Sequence, residues 1–401
     1  MQAKNLQTVK KSNRVTVLEF IRKYAPISRR QISRTLEISP TTASAAVSDL
    51  IELGLVREIG HGISTGGRRP ISLEINPEGG TVISVDVSSK FHDRIIHAAA
   101  LDLKGNILTK IKREEQISSN ETMLHIVRTI IHDLIASPDV ALRDAVAIGI
   151  SVPGLINAKT GEVVFTGFNV RRLQLANALQ DEFQMPILVK NAEDAAALGE
   201  YRFGAGQGYE SLVYLNMGHG VGAGFVINGR IYQQNRVSAG ELGHMTVQHD
   251  GPLCTCGNQG CLTTVVSSKK MVEAVKAALA DGYPPKTNLI SSDSLDIKQI
   301  MAAAEAGEQI CQDIVQRASE WAGIAVANII NFLNPEAIIF GGELFDDNSY
   351  FFSLVKQVVQ KRSLKDYQNG VHLALSSLGR QAGLQGVGTL AIDTLLKSPT
   401  F

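Results

Sequence analysis

The stretch ISRRQISRTLEISPTTASAAVSDLIELG, residues 27–54, contains the start and stop signals of two short helices in succession. Ser28 can cap the first helix while the Gln31 side chain reaches back to it, which is the capping-box pattern. Ser39 can cap a second helix whose first position is Pro40, where the missing N–H costs nothing. Two short helices joined by a tight turn predict a helix-turn-helix.

The second helix has one apolar and one polar face. Ala43, Val47 and Leu50 are spaced as on a buried helical stripe, and Gly54 is a typical left-handed stop. Small hydroxyls and methyls on the opposite face allow a helix to enter a major groove and contact base edges. Together with the arginines of the first helix, the predicted DNA-contacting residues are Arg29, Arg30, Ser39, Thr41, Thr42, Ser44 and Ala45.

A basic loop lies between two predicted strands, residues 55–59 and 71–75. The loop has the sequence GISTGGRRP over residues 62–70, which is the composition of a wing. Arg68 and Arg69 are expected to enter a minor groove or to contact phosphate. The helix pair and the wing together predict that this region binds double-stranded DNA.

The composition agrees with a DNA-binding head on a soluble body. The chain has 401 residues, 44% hydrophobic and 19% charged, and this length indicates two or three domains. Residues 1–80 hold 12 Lys and Arg against 7 Asp and Glu, so a basic head precedes an acidic remainder. Residues 1–11 lack a signal-peptide core, and no stretch reaches the ~20 apolar residues of a membrane span, so we expect a cytoplasmic protein.

The remainder of the chain alternates buried strands with amphipathic helices, which predicts an α/β fold. The predicted strands are residues 82–87, 145–151, 187–189, 212–215 and 337–340. The predicted helices are residues 123–135, 310–330 and 384–396.

One histidine and three cysteines have the spacing H-x9-C-x-C-x4-C; they are His244, Cys254, Cys256 and Cys261. One imidazole and three thiolates suit a tetrahedral Zn²⁺, and four protein ligands leave no open position, so the predicted metal is structural. The alternative is that the cysteines are free thiols that pack as small hydrophobes. Their close spacing behind a histidine favours the metal.

Several motifs carry a resemblance to a known family: STGGRRP at residues 64–70, GISVPG at 149–154, AAALGE at 195–200, GHGVGAG at 218–224, and GELGH at 240–244. With them the chain resembles the ROK family (repressors, open reading frames and kinases) over almost its full length. Within that family it looks most like repressors that respond to xylose, N-acetylglucosamine or glucose.

The resemblance implies a fold and a domain order. The expected fold class is α/β, a winged helix-turn-helix followed by a two-lobed, actin-like ATPase fold with the sugar between the lobes. The expected domains are a head with its linker at residues 1–80, a small lobe at 81–190 on which a C-terminal helix at 385–401 packs, and a large lobe at 191–384 with the zinc loop.

The same resemblance implies a small sugar effector bound by Asn169, Asn191, Glu241 and His244. Family members usually carry Glu two residues after the last cysteine, where this chain has Thr263. The tryptophan-containing substrate segment of the family kinases corresponds here to residues 166–170, without tryptophan. One carboxylate acceptor is therefore lost and one pocket wall is changed, so the sequence leaves the identity of the sugar open.

The position of the kinase base is altered. Family kinases place this base as Asp directly after Asn, whereas Asn191 is followed here by Ala192, whose methyl accepts no proton. Glu193 and Asp194 come next, but at a helix start they point about 100° and 200° away from position 192. Simple replacement of the base by either carboxylate is therefore not expected.

The phosphate loops are altered as well. In the first loop, residues 86–91, Ser88 and Ser89 stand where the kinases have glycines, so the backbone approaches a phosphate less closely. The second loop keeps its glycines, but His219 replaces threonine. We therefore expect a protein that is not an enzyme.

The sequence thus predicts a sugar-responsive repressor of carbohydrate-utilisation genes, acting as a homodimer or homotetramer on a palindromic operator. Two alternatives remain open. One is an active sugar kinase with a DNA-binding head, in which Glu193 or Asp194 acts as the base. The other is a repressor controlled by a protein partner instead of a ligand.

Overall fold

The computed structural model of the chain describes residues 2–61, 70–87, 95–141, 144–166, 169–232, 237–288, 290, 295–346, 349–368 and 370–397. The predicted wing residues Arg68 and Arg69 lie outside the described residues. So do Ser88 and Ser89 of the predicted first phosphate loop.

The helices are α1 Gln2–Tyr24, α2 Arg29–Thr35, α3 Pro40–Glu52, α4 Asn120–Ile135, α5 Pro138–Ala141, α6 Leu175–Phe183, α7 Ala192–Phe203, α8 Thr263–Val266, α9 Ser268–Ala280, α10 Ile297–Glu305, α11 Gln309–Leu333, α12 Ser349–Arg362, α13 Lys365–Gln368 and α14 Gln381–Lys397. A short 3-10 helix covers Leu242–His244.

The strands are β1 Ile27–Ser28, β2 Val56–His61, β3 Ile71–Ile75, β4 Thr81–Asp86, β5 Ile95–Asp102, β6 Ile107–Glu114, β7 Ala145–Val152, β8 Leu155–Ile156, β9 Val163–Phe165, β10 Arg171–Leu173, β11 Ile187–Asn191, β12 Leu212–Met217, β13 Val221–Ile227, β14 Arg230–Ile231, β15 Ala337–Gly341 and β16 His372–Leu375. The predicted α/β class is confirmed, and each strand and helix named from the sequence is present within a few residues of its expected bounds.

The N-terminal head consists of α1, α2, α3 and a small sheet of order β1-β3-β2. The capping box that begins α2 is formed, since Ser28 N donates to Gln31 Oε1 at 3.0 Å and Gln31 N to Ser28 Oγ at 3.4 Å. Ser39 caps α3 by accepting from Thr42 N at 3.0 Å. The chain leaves α3 through Gly54, whose φ is +72°. The predicted helix-turn-helix is confirmed.

Helix α1 was not predicted from the sequence. Its second half carries a buried stripe of Val17, Leu18 and Ile21. These side chains join the apolar cluster of the head, which contains Val47 and Leu50 of α3. Tertiary packing therefore stabilises the helix. The buried stripe is too short for hydrophobic periodicity alone to predict it.

The body contains two five-stranded sheets of the same topology. The first sheet has the order β11-β7-β4-β5-β6 and the second has the order β14-β13-β12-β15-β16. In each sheet the first strand in sequence pairs antiparallel with the second and parallel with the fourth. The duplication is thus one of strand order and pairing.

Helices α14 and α7 join the two sheets. α14 packs on the first sheet, α7 packs on the second, and the two helices pack against each other. Their close approach requires Gly386, because a Cβ there would lie 1.7 Å from the Ala195 carbonyl oxygen. The buried Glu200 carboxylate accepts from Ala205 N at 2.8 Å and from Leu378 N at 3.0 Å, which ties the end of α7 to the turn before α14.

The far end of α14 belongs to the core of the head. Ile392, Leu395 and Leu396 lie in the same apolar cluster as the α1 side chains. The Arg22 guanidinium of α1 also pairs with Asp393. The head and the body therefore share a continuous core. Within the described residues, no helix has the length and apolarity needed to cross a membrane.

Candidate ligand cleft, metal centre and DNA-binding surface

A cleft of about 680 Å³ opens between the two five-stranded sheets, and both sheets contribute residues to its lining. From the first sheet come Asp86 at the end of β4 and His97 of β5. From the second come Asn216 of β12 and the glycine turn at residues 218–220. A pocket of this size between two lobes is the usual place for a small ligand.

The first-sheet wall is built from hydrogen-bonded polar side chains. The Ser151 hydroxyl of β7 donates to Asp86 Oδ1 at 2.6 Å. His97 lies opposite Asp86 in the antiparallel register of β4 and β5. Burial lowers the pKa of His97, although the nearby Asp86 carboxylate acts in the opposite direction. The lowered pKa favours the uncharged imidazole of His97 on this wall.

On the second-sheet wall, Asn216 Nδ2 donates to Glu193 Oε1 at 3.2 Å. Glu193 lies in the first turn of α7 and lines the cleft together with Ala192. Burial raises the pKa of Glu193, Asn216 counters this shift, and the charge of Glu241 adds to it. The helical rotation expected after position 192 turns Glu193 toward Asn216, where it remains in the cleft.

Asn191 has a positioning role that uses its side chain. Its Oδ1 accepts from the backbone N–H groups of Glu193 at 2.9 Å and Asp194 at 3.0 Å, so it caps α7. Its Nδ2 donates to the Gly154 carbonyl at 3.0 Å. Asn191 also lines the cleft, so a ligand would meet a side chain whose oxygen already has two donors.

Asp194 lines a second, small cavity and is not among the lining residues of the main cleft. This cavity is also lined by Lys190 of β11 and by Ser238. Burial and the neighbouring Glu193 raise the pKa of Asp194 to about 7, against the opposing charge of Lys190. Burial in turn lowers the pKa of Lys190.

Glu241 and His244 lie at the 3-10 helix on the second-sheet side and line the cleft. Glu241 Oε2 is 3.8 Å from His244 Nε2, and burial raises the pKa of Glu241. His244 Nδ1 points the other way, 3.5 Å from Cys254 Sγ. The two roles predicted for His244 are thus compatible, since each uses a different ring nitrogen. Asn169 is exposed and is not among the lining residues.

The ligand atoms of His244, Cys254, Cys256 and Cys261 all lie within 4.8 Å of one another. A Zn–S distance of about 2.3 Å in a tetrahedron gives a sulfur–sulfur edge of about 3.8 Å. The Cys256 and Cys261 sulfurs are 3.7 Å apart, which fits this edge. Cys256 is exposed, unlike a thiol that packs as a small hydrophobe. The four residues therefore fit a tetrahedral cation.

The backbone around this cluster is held by close contacts. Gly260 has φ +70°, and a Cβ there would lie 1.6 Å from the Gln248 carbonyl oxygen, so only glycine fits. Cys254 N donates to the Asn258 carbonyl at 2.8 Å. Cys256 and the adjacent Thr255 line the cleft. The loop that carries these four residues is thus part of the second-sheet wall.

The outer face of α3 is accessible to solvent. Ser39, Thr41, Ser44 and Ala45 are exposed, and Thr42 is half-buried. This face presents small side chains to solvent, as entry into a major groove requires.

The two arginines of α2 differ in their surroundings. Arg30 is exposed. Arg29 Nη1 donates to Glu58 Oε1 of β2 at 2.7 Å. Arg29 therefore ties α2 to the small sheet, whereas Arg30 projects from the helix.

Comparison with known proteins agrees with this architecture. A model of the ROK family matches residues 93–394, and a winged helix-turn-helix DNA-binding model matches residues 12–57. The xylose repressor of Bacillus subtilis (strain 168) is 30% identical to this chain, and the match covers 98% of each protein.

Two solved structures are also similar. A ROK family transcriptional regulator, described as a homolog of the E. coli MLC protein, matches with a TM-score of 0.84 and 29% identity over 97% of each chain. A ROK family glucokinase from Streptomyces griseus, solved with glucose and AMPPNP, matches with a TM-score of 0.66 and 28% identity. That match covers 78% of this chain and 99% of the glucokinase. On the extent of the family match and the full-length relatives, the chain belongs to the ROK family.

Proposed function

We propose that the chain is a DNA-binding transcriptional repressor of carbohydrate-utilisation genes, and that its cleft binds a small sugar without catalysis. The observation that carries this proposal is the course of α14. At its start, a Cβ on Gly383 would lie 2.6 Å from Asp86 Oδ2 in the cleft, and at its end Leu395 and Leu396 lie in the core of the head. A ligand that moves the start of α14 would therefore change how the end of α14 packs in the head.

The relatives support this proposal by their names. The full-length relatives are a xylose repressor and a transcriptional regulator. The glucokinase, whose structure was solved with glucose, matches only about four fifths of this chain. A sugar site in the body and a DNA site in the head are therefore consistent with both kinds of relative.

Sugar hydroxyls would meet Glu241 and His244 Nε2 on the second-sheet wall, with Asn191 fixing the start of α7. Carboxylates and imidazoles suit hydroxyl recognition because they accept or donate according to their protonation. A structural zinc held by His244, Cys254, Cys256 and Cys261 would fix the orientation of the His244 ring. Contact of Asn169 with the ligand stays a prediction.

The absence of catalysis is proposed because Ala192 cannot take a proton from a sugar hydroxyl. A general base contributes ~10²–10⁴-fold to a rate. The kinase alternative is favoured by one observation, that the Glu193 carboxylate lies in the cleft beside Ala192. A coupled assay of ATP consumption over a panel of sugars should show no sugar-dependent turnover. Turnover that is lost in Glu193→Gln would instead make the chain a kinase.

DNA binding is tested by selecting operator fragments from genomic DNA and measuring their affinity by fluorescence anisotropy. Arg68→Ala with Arg69→Ala should weaken binding and reduce the slope of log affinity against log salt by up to ~2, since two phosphate contacts are lost. Thr42→Ala should change the preference among operator variants. Lys361→Ala, on the body, is the control and should alter neither quantity.

The assembly is proposed to be a homodimer or homotetramer in the cytoplasm, because a helix-turn-helix reaches useful affinity by contacting two half-sites of a palindrome. Light scattering of the chain with its selected operator measures this. A monomer with full operator affinity would contradict it. Capture of a protein partner, without any sugar-induced thermal shift, would favour control by that partner.

A further inference from the structure

One corner of the cleft combines two backbone features that proteins use to bind phosphate. The glycine turn at residues 218–220 joins β12 to β13 and lines the cleft. The N-terminus of α9 meets this turn, since Ser268 N donates to the Gly218 carbonyl at 2.8 Å. Glycine turns present backbone N–H groups to anions, and the positive end of a helix dipole favours them.

A carboxylate of the chain itself lies at this corner. Glu343 follows β15, and its Cβ is 3.2 Å from the position that a Cβ on Gly218 would take. The Ser268 hydroxyl donates to Glu343 Oε2 at 2.9 Å, which holds the carboxylate between the glycine turn and α9. Because Glu343 also lines the cleft, a phosphate placed here would meet a negative charge.

Acidic side chains outnumber basic ones in the rest of the cleft as well. Among the lining residues that the structure describes, one is a guanidinium, Arg380, and five are carboxylates: Asp86, Glu193, Glu241, Glu343 and Asp346. Like charges in a partly desolvated cleft repel a dianion strongly and an uncharged molecule hardly at all. Carboxylates also accept hydrogen bonds from hydroxyls, so the same lining suits a polyol.

We propose that Glu343 is a specificity-determining residue that restricts the cleft to uncharged, unphosphorylated sugars and excludes sugar phosphates and nucleoside triphosphates. This names the ligand class of the cleft and therefore depends on the proposed function. It also gives a role to the position of Glu343 beside the retained glycine turn, since such turns are common phosphate-binding sites.

Isothermal titration of the full chain tests this with xylose, glucose and N-acetylglucosamine, each beside its phosphate ester, and with Mg·AMPPNP. For a sugar that binds, the Kd of its phosphate ester should be at least ~10-fold higher than that of the free sugar. Added salt should reduce this difference in Kd, because it screens the charges. An ester that binds the wild type as tightly as its free sugar overturns the inference. So does AMPPNP binding with a Kd below ~100 μM.

Glu343→Gln isolates the charge, because the amide keeps the size of the side chain and its contact with Ser268. In this variant, the ratio of the ester Kd to the sugar Kd should be at least ~3-fold lower than in the wild type. Glu320→Gln removes a carboxylate on α11 outside the cleft and should leave the ratio unchanged. DNA binding and circular dichroism establish that each variant is folded. An equal ratio in the wild type and Glu343→Gln overturns the role of Glu343.

Failure of the proposed function gives a different result. If no carbohydrate binds while the chain still binds DNA, the sugar part of that function is wrong, and AMPPNP then decides the inference alone. Exclusion of AMPPNP by the wild type, with binding to Glu343→Gln, supports the inference. Equal behaviour of the two proteins toward AMPPNP overturns it.

Discussion

The two walls of the cleft come from sheets of the same topology but carry different side chains at matching positions. In the first sheet, the register aligns Asp86 of β4 with His97 and Ser151 of its neighbouring strands. In the second sheet, the corresponding set is Asn216 with Gly222 and Gly341. The polar side chains of the first wall thus come from the strands of its own sheet. On the second wall, further polar side chains come from outside the sheet, namely from Glu193 of α7 and from the loop that carries Glu241.

This difference shows that the topology fixes where a wall lies but not what holds it in place. The first wall is ordered by hydrogen bonds between adjacent strands, such as the one from Ser151 to Asp86. The second wall depends on loops, and the longest of these contains the cluster of His244 and three cysteines. The two walls should therefore respond to different perturbations.

The largest expected loss of stability follows from a substitution in the second wall. Cys261→Ser should remove one zinc per chain and lower the free energy of unfolding by roughly 3–5 kcal/mol, because loss of a structural metal is among the most destabilising changes. Metal content is measured by mass spectrometry and stability by chemical denaturation. Cys311→Ala, which alters the buried cysteine of α11, is the control and should keep the metal. A full zinc complement in Cys261→Ser would exclude Cys261 as a ligand.

A smaller effect is expected on the first wall. Ser151→Ala leaves the buried Asp86 carboxylate without one donor and should lower the free energy of unfolding by ~2 kcal/mol, within the range for an unsatisfied buried group. Asn216→Ala is the matched change on the second wall. It should cost less, because Glu193 is half-buried whereas Asp86 is buried, so water can more readily replace the donor that Glu193 loses. Urea denaturation of both variants compares them, and the reverse order would contradict this account of the walls.

The smallest expected effect on stability comes from the titration of Asp194. This residue follows Glu193 in sequence but lines the small cavity that Lys190 of β11 also lines. Its pKa is raised to about 7, against about 4 in the unfolded chain. The folded state therefore binds the proton more tightly, and the associated stability is present at pH 4 and is lost as the pH rises through 7. Between pH 6 and 8 the loss should be ~1 kcal/mol.

Asp194→Asn tests this linkage, because the amide does not titrate. The variant should lack that part of the pH dependence, so its stability relative to the wild type should increase from pH 6 to pH 8. Asp281→Asn, at an exposed position after α9, is the control. Parallel pH profiles of the wild type and Asp194→Asn would show that Asp194 does not titrate in this range.

The parts of the molecule that the sequence predicted are those with local signals. Ser28 with Gln31 and Ser39 with Pro40 act within one helical turn, so their spacing alone specified both helices of the head. The cysteine cluster was predicted for the same reason, since three of its four ligands lie within eight residues.

The features that the sequence missed depend on long-range packing. The place of Glu193 in the cleft follows from Asn216, which belongs to the other sheet. Glu343 lies 75 residues from Ser268, and no motif connects them. Asn169 was assigned through a resemblance, and its backbone has a left-handed φ of 62° at an exposed position.

Helix α14 has a thermodynamic consequence for both ends of the molecule. It has 17 residues, or about 25 Å of helix, with one end beside Asp86 and the other among the α1 side chains. If a sugar changes operator affinity through this helix by some factor, the operator must change sugar affinity by the same factor. The sugar concentration that half-saturates the protein is then not a constant of the chain, because it depends on how much of the protein is bound to DNA.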